Sequence, residues 1–248
     1  MKKILTLLLA VSMICAFTAC GAKTGDKKVL TMATNAEFPP FEYMKGEKIV
    51  GADVDMANAI AHYLGYTLEI TNIDFDGALT GVSTGKYDMA VAGITANAER
   101  RKNMNFSENY YTASQAIIVK KGSDIKSADG LKGKVISCQE GTTGEQYLLD
   151  KKYKIQSFKT GSEAITALTA GKVDAVVIDN AVAKALSDKQ AGKTVVLKEA
   201  LTKESYAIAL KLGDDVMTGK IDKAIKALKK DGTLNKIFEK YNLKVDVK

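Results

Sequence analysis

The chain has 248 residues, 46% hydrophobic and 26% charged, with two prolines, no tryptophan and three cysteines. This composition excludes a disordered tail, a collagen-like fibre and a disulfide-dense miniature, and the length allows one or two domains with a sizeable core. The net charge of +7 comes from scattered lysines, which fits solubility or a nearby anionic surface and speaks against a nucleic-acid groove.

Residues 1–19 read as an export signal: Lys2 and Lys3, then an apolar run from Ile4 to Ala19, too short for a membrane span of roughly 20 residues. The small residues Thr18-Ala19 before Cys20 resemble the lipobox of bacterial lipoproteins, which implies that Cys20 is diacylated and becomes the new N-terminus. A plain secretory signal cut near Ala19 is the alternative. Residues 20–28 are polar and suit a short tether. Cys15 leaves with the signal and Cys20 is consumed by lipid, so Cys138 stands alone. There is no disulfide framework, and Cys138 reads as a small buried filler after Val135 to Ser137.

Val29 to Ala33 is a predicted buried strand. Met56, Ile60, Tyr63 and Leu64 form a helical stripe that stops at Gly65, and Thr67 to Ile70 is again strand-like. Ala78 to Thr84 is helical, Gly85-Lys86 turns, and Met89 to Ala92 is a short apolar run. Towards the C-terminus, Ile221, Ala224, Ile225 and Leu228 form one helical stripe, and Leu234, Ile237, Phe238 and Tyr241 another. Strands alternating with helices imply βαβ units, an α/β fold and mostly parallel sheets. His62 lies off its helix stripe and reads as a surface residue.

One passage occurs twice. Ala78-Leu79-Thr80 to Gly85-Lys86-Tyr87-Asp88 aligns with Ala164-Ile165-Thr166 to Gly171-Lys172-Val173-Asp174, and Val91 aligns with Val177 at the same offset. The repeat predicts two lobes of similar architecture. Open parallel sheets bind ligands beyond the carboxyl ends of their strands, so Gly93-Ile94-Thr95 and Asp179-Asn180 are expected to face each other across one cleft.

Several segments carry chemistry. Asn35 and Phe38 lie in a stiff excursion with both prolines, and Phe75 sits in a second post-strand turn. Arg100, shortly after Gly93 to Thr95, suits a carboxylate clamp, and Gly141-Thr142-Thr143-Gly144 offers N–H donors at a helix start. Asp179 ends an apolar strand, where a carboxylate is costly unless it meets a cation. Together these outline an amphoteric amino acid: Arg100 for its carboxylate, Asp179 for its ammonium, Phe38 and Phe75 for its stem. Each residue also has a plainer role. Arg100 and Arg101 suit solvation of a helix start, Asp179 an N-cap, and the phenylalanines a core. One histidine and one remaining thiol give no metal spacing and no nucleophile pair.

Over about residues 29 to 243 the chain resembles the bacterial extracellular solute-binding proteins of family 3, the polar amino-acid receptors of ABC importers. The resemblance is carried by Ala33 to Glu42, Gly51-Ala52-Asp53-Val54-Asp55, Ala92 to Thr95 with Glu99-Arg100-Arg101, Asn105 to Tyr111, and Gly141 to Gly144. It implies a two-lobed periplasmic-binding-protein fold of type II. Lobe one would hold residues 29–110 and 207–248, and lobe two 115–201, with hinges at 110–114 and 202–206. It further implies that Arg100 forks onto the ligand carboxylate with Thr95 and Thr143, that Asp179, the Gly93 carbonyl and the Thr95 hydroxyl take the ammonium, and that Phe38 and Phe75 sandwich the stem. Ile94, Gln139 and Thr142 complete the expected set. Asn35 stands where relatives often carry aspartate, which favours a neutral polar ligand over a cationic one; Glu37 or Glu140 would rescue a cationic ligand such as arginine.

The implied protein is a lipid-anchored monomer that hands an amino acid to a permease, without cofactor, metal or nucleic acid. Two rival functions exist: a dehydratase on the same fold, which would need Glu37 or Glu140 as its acid or base, and a signalling receptor, for which no second apolar segment is seen.

Overall fold

The computed structural model describes residues 28–244, so the export signal, Cys20 and the tether up to residue 27 lie outside the described residues. The chain opens with β1 (Lys28–Thr34), the small meander β2 (Glu37–Phe38), β3 (Glu42–Lys45) and β4 (Lys48–Val50), then α1 (Ala52–Leu64), β5 (Tyr66–Asn72), α2 (Phe75–Ser83), β6 (Met89–Ala90) and β7 (Met104–Phe106). After β8 (Tyr111–Ala113) come β9 (Gln115–Lys120), β10 (Val135–Gln139), α3 (Thr143–Asp150), β11 (Lys154–Phe158), α4 (Gly161–Thr169), β12 (Ala175–Asp179), α5 (Asn180–Asp188) and β13 (Thr194–Val196). The chain returns through β14 (Glu204–Tyr206) to β15 (Ala209–Lys211), α6 (Asp215–Lys230) and α7 (Thr233–Lys240).

Two five-stranded sheets have matching plans. The first runs β5-β1-β6-β15-β7 and the second β11-β10-β12-β9-β13. In each, three neighbouring strands are parallel, and the fourth strand runs against both of its neighbours. Four strands of five therefore point one way, as the βαβ pattern predicts, and helices cover both faces. The fold is α/β and two-lobed.

The sequence repeat is reproduced bond for bond. Gly85 and Gly171 both adopt positive φ, 77° and 78°. The N–H groups of Lys86 and Lys172 donate to Gly81 O and Ala167 O at 2.8 and 3.0 Å. Asp88 accepts the Thr31 N–H of β1 at 2.7 Å, and Asp174 accepts the Val135 N–H of β10 at 2.8 Å. Each aspartate thus pins the strand next to its own, which is why Gly-Lys-x-Asp recurs at one offset.

The C-terminal stripes are core, with Ile221, Ala224, Ile225, Leu228, Leu234 and Phe238 buried. The α1 stripe needs one correction: Met56 and Ile60 are buried, but Tyr63 is 52% exposed, because the packed face turns through Ala57 and Ala61 instead. His62 is exposed, and Cys138 is fully buried with its thiol pushed up to about 11 by burial. β8 pairs with β14 where the chain passes between the lobes, and beneath the cleft Phe41, Tyr111 and Tyr206 pack edge to face at 5.0 and 5.2 Å.

Candidate functional site

The C-terminal ends of β1, β6, β10 and β12 converge on one hollow between the lobes. Its volume is about 300 Å³. Of the candidate residues, Asn35, Phe38, Phe75, Gly93, Thr95, Arg100, Gln139, Thr142, Thr143 and Asp179 all line it. Ile94 does not. It is fully buried and packs into the core with Ala92 and Phe106, in the bend that follows β6.

Arg100 reaches across the cleft. Its guanidinium donates to Thr95 O of the first lobe at 3.0 Å and to Gly141 O of the second at 3.1 Å, while its Cζ lies 5.2 Å from the Phe75 ring centroid. Its backbone N–H is held by the Asn97 side chain at 2.8 Å, at the start of a single 3₁₀ turn. Burial lowers its pKa, and the carboxylates of Asp179 and Glu204 oppose that shift.

Asp179 occupies the N-cap position of α5, yet its side chain makes no cap bond. Its Oδ1 instead accepts the Tyr206 hydroxyl. Burial raises its pKa to about 6; the Glu204 charge adds to this and the Tyr206 bond opposes it. Asp179 thus holds the N-cap position of α5 while its carboxylate lines the hollow.

Two amides meet across the cleft: Gln139 Nε2 donates to Asn35 Oδ1 at 3.0 Å, while Asn35 Nδ2 donates to Ile73 O. Thr142 caps α3 by accepting the Glu145 N–H at 3.3 Å, which fixes the loop that carries Thr143.

Sequence reasoning missed two carboxylates. Glu204, in the returning crossing, accepts the Thr95 hydroxyl from one lobe at 2.6 Å and the Thr143 hydroxyl from the other at 2.7 Å. Glu42 is fully buried and lines the hollow. The available signal was a charged residue inside the otherwise apolar stretch Phe38 to Tyr43. The two glutamates named in advance do not line it: Glu37 is half-buried, and Glu140 pairs with Lys159 at 2.7 Å.

Gly51 explains how Glu42 is held. Its φ is +140°, and a Cβ there would lie 2.0 Å from Phe41 O. Only glycine allows the start of α1 to sit on this segment, where the N–H groups of Ala52 and Asp53 donate to Pro40 O and Phe41 O at 3.1 and 2.9 Å. The Asp53 carboxylate is thereby brought against Glu42, and its Oδ2 accepts the Gly93 N–H at 2.9 Å and the Tyr110 hydroxyl at 2.7 Å.

Residues 30–244 match the family described as bacterial extracellular solute-binding proteins, family 3. The chain is 34% identical to the arginine-binding extracellular protein ArtP of Bacillus subtilis, covering 97% of this chain and 98% of that one. It is 31% identical to the glutamine-binding protein GlnH of an ABC transporter from the same organism, covering 90% and 84%. Among solved structures, an ancestral arginine-binding protein is similar at 43% identity with a TM-score of 0.82, covering 86% of this chain and 97% of that one. It is seen with glutamine and with arginine bound.

Proposed function

The chain belongs to the bacterial extracellular solute-binding proteins of family 3, and from that premise we propose that it captures a free L-amino acid outside the cytoplasm and delivers it to the permease of an ABC importer. The carrying observation is the pair Arg100 and Asp179, which line one hollow from opposite lobes. A guanidinium at one end and a carboxylate at the other match the two charges of an α-amino acid, and Phe38 with Phe75 supply an apolar wall for its stem. Ligand binds an open cleft at Arg100, the lobes rotate about 110–114 and 202–206, and Asp179 with Thr143 completes the site. The printed names of the relatives support the importer role.

Two observations weigh against catalysis. Glu37 and Glu140, the residues that a dehydratase would need as acid or base, do not line the hollow, and Cys138 is buried with a raised pKa.

A thermal-shift screen against the common amino acids tests this function. A true ligand at 100 times its Kd adds about 2.7 kcal/mol of stability, which for a chain of this size moves the midpoint by roughly 5–10 °C. Small-angle scattering with the same ligand should show a monomer that becomes more compact. No shift with any amino acid would refute the reading.

The lipobox-like Thr18-Ala19-Cys20 supports a lipid anchor at Cys20 on the outer face of the cytoplasmic membrane. Cys20→Ala is expected to move the protein from the membrane fraction to the soluble one; unchanged fractionation would refute anchoring.

The relatives are named for arginine and for glutamine, so likeness does not decide the side-chain class. Asn35 does not decide it either, because its amide is already bonded to Ile73 and Gln139.

A further inference from the structure

We propose that Glu204 is the latch of lobe closure, a positioning residue in the returning crossing that captures the Thr143 hydroxyl as the lobes meet and, on the same oxygen, fixes the Thr95 hydroxyl as an acceptor towards the ligand ammonium. This rests on the amino-acid reading above and adds to it the residue that couples closure to ligand retention.

Glu204 itself does not line the hollow. It is 7% exposed on β14, opposite Ala113 of β8, and so belongs to the two strands that join the lobes. A carboxylate buried there needs donors. It has three hydroxyls: Thr202 on Oε1 at 2.6 Å, and Thr95 and Thr143 on Oε2 at 2.6 and 2.7 Å.

The directions of these bonds are set by their surroundings. Gln115 donates its backbone N–H to Thr202 Oγ1 at 2.9 Å and its Nε2 to Thr143 Oγ1 at 3.2 Å. Each of these hydroxyls, already accepting, gives its proton to Glu204. Thr95 likewise spends its only proton on the carboxylate. Towards the hollow, which Thr95 lines, it is left with lone pairs alone. An ammonium, a donor without acceptor capacity, matches that oxygen.

The three arms differ in what holds them. Thr202 lies two residues away on the same crossing. Thr95 is stitched to β14: it bridges to Tyr206, while the Ala96 N–H donates to Ser205 O at 3.2 Å and the Ala207 N–H to Ile94 O at 3.0 Å. These two arms therefore travel with the crossing. Thr143 instead opens α3 in the second lobe, behind its Thr142 cap. Its bond to Glu204 is the arm that forms when the lobes close and breaks when they open. A bond made only in the closed state slows release of ligand and leaves its capture by the open cleft unchanged.

Release and capture rates test this. The probe is the common amino acid that stabilises the wild type most, isotopically labelled and chased with unlabelled ligand, with the equilibrium constant from calorimetry. Glu204→Ala is expected to release ligand about 10- to 100-fold faster, as for loss of a hydrogen bond to a charged group, while its association rate stays within about threefold of wild type. Thr143→Val should change release in the same direction, and Thr143→Ser, which keeps the hydroxyl, should restore it. Thr143→Val placed on Glu204→Ala should add no further loss, because both remove one contact. A loss confined to association, additive effects of the two substitutions, or a serine variant as poor as valine overturns the latch and leaves the amino-acid reading standing. If no amino acid binds the wild type, that reading falls and this proposal with it. Should Glu204→Ala not fold, the valine and serine variants of Thr143 decide alone.

Discussion

Arg100→Ala is expected to weaken amino-acid binding by about 2–5 kcal/mol, roughly 30-fold to several-thousand-fold, because it leaves the ligand carboxylate in a closed hollow without its cation. The guanidinium does three things from one place. It holds Thr95 O, bridges to Gly141 O across the cleft and lies against the Phe75 ring. Arg100→Lys should lose most of this, since a compact ammonium cannot fork onto a carboxylate and two carbonyls together. Calorimetry on both variants, with circular dichroism to verify folding, measures it. An alanine variant within a few-fold of wild type would show that the ligand carboxylate is held elsewhere.

The second large effect is a pH profile. Asp179 has a pKa of about 6 in the free protein, raised by burial first and by Glu204 next. Its ionised form is the one that takes an ammonium, so the bound state holds the lower pKa. For a ligand with a neutral side chain, affinity should therefore be flat above about pH 7 and fall about tenfold per pH unit below 6, where each binding event must first expel a proton. Asp179→Asn should bind weakly at neutral pH and lose this acid limb. An unaltered acid limb in that variant would assign the titration to another group. The same shift acts oppositely on the unliganded fold. A carboxyl whose folded pKa is raised favours folding at low pH, and that contribution is lost as pH rises from about 4 through 6. Asp53, also raised to about 6 by burial, acts with the same sign. Ligand thus stabilises most where the free protein has lost most.

Much of the site was legible because its residues sit at strand ends or in turns, where local patterns are sharp. Asn35 follows β1, Gln139 and Asp179 are the last residues of β10 and β12, and Gly93 follows β6. A parallel sheet places such positions on one edge, so the repeat pointed to Gly93, Thr95 and Asp179, whereas Asn35 was singled out by its stiff proline-containing segment and Gln139 by the family resemblance. Ile94 lies in the core instead, because β6 ends at Ala90 and the chain bends through Gly93, at φ 56°, before reaching it. Tyr63 failed because a helix stripe built on large side chains overlooked the alanines on which α1 packs.

Length, α/β alternation and the lobe repeat were determined by the sequence alone, because they depend on spacing and on residue type, and residue type alone also singled out Arg100 and Asp179 as candidates. Only the tertiary structure decided the roles of Glu42 and Glu204. Glu42 acquires its meaning from Asp53, which α1 delivers against it through the Gly51 contact. Glu204 acquires its meaning from Thr95 and Thr143, which are 109 and 61 residues away and belong to different lobes. A carboxylate in an extended segment reads as solvated; whether it is buried, orphaned or clasped is set by what long-range packing brings to it.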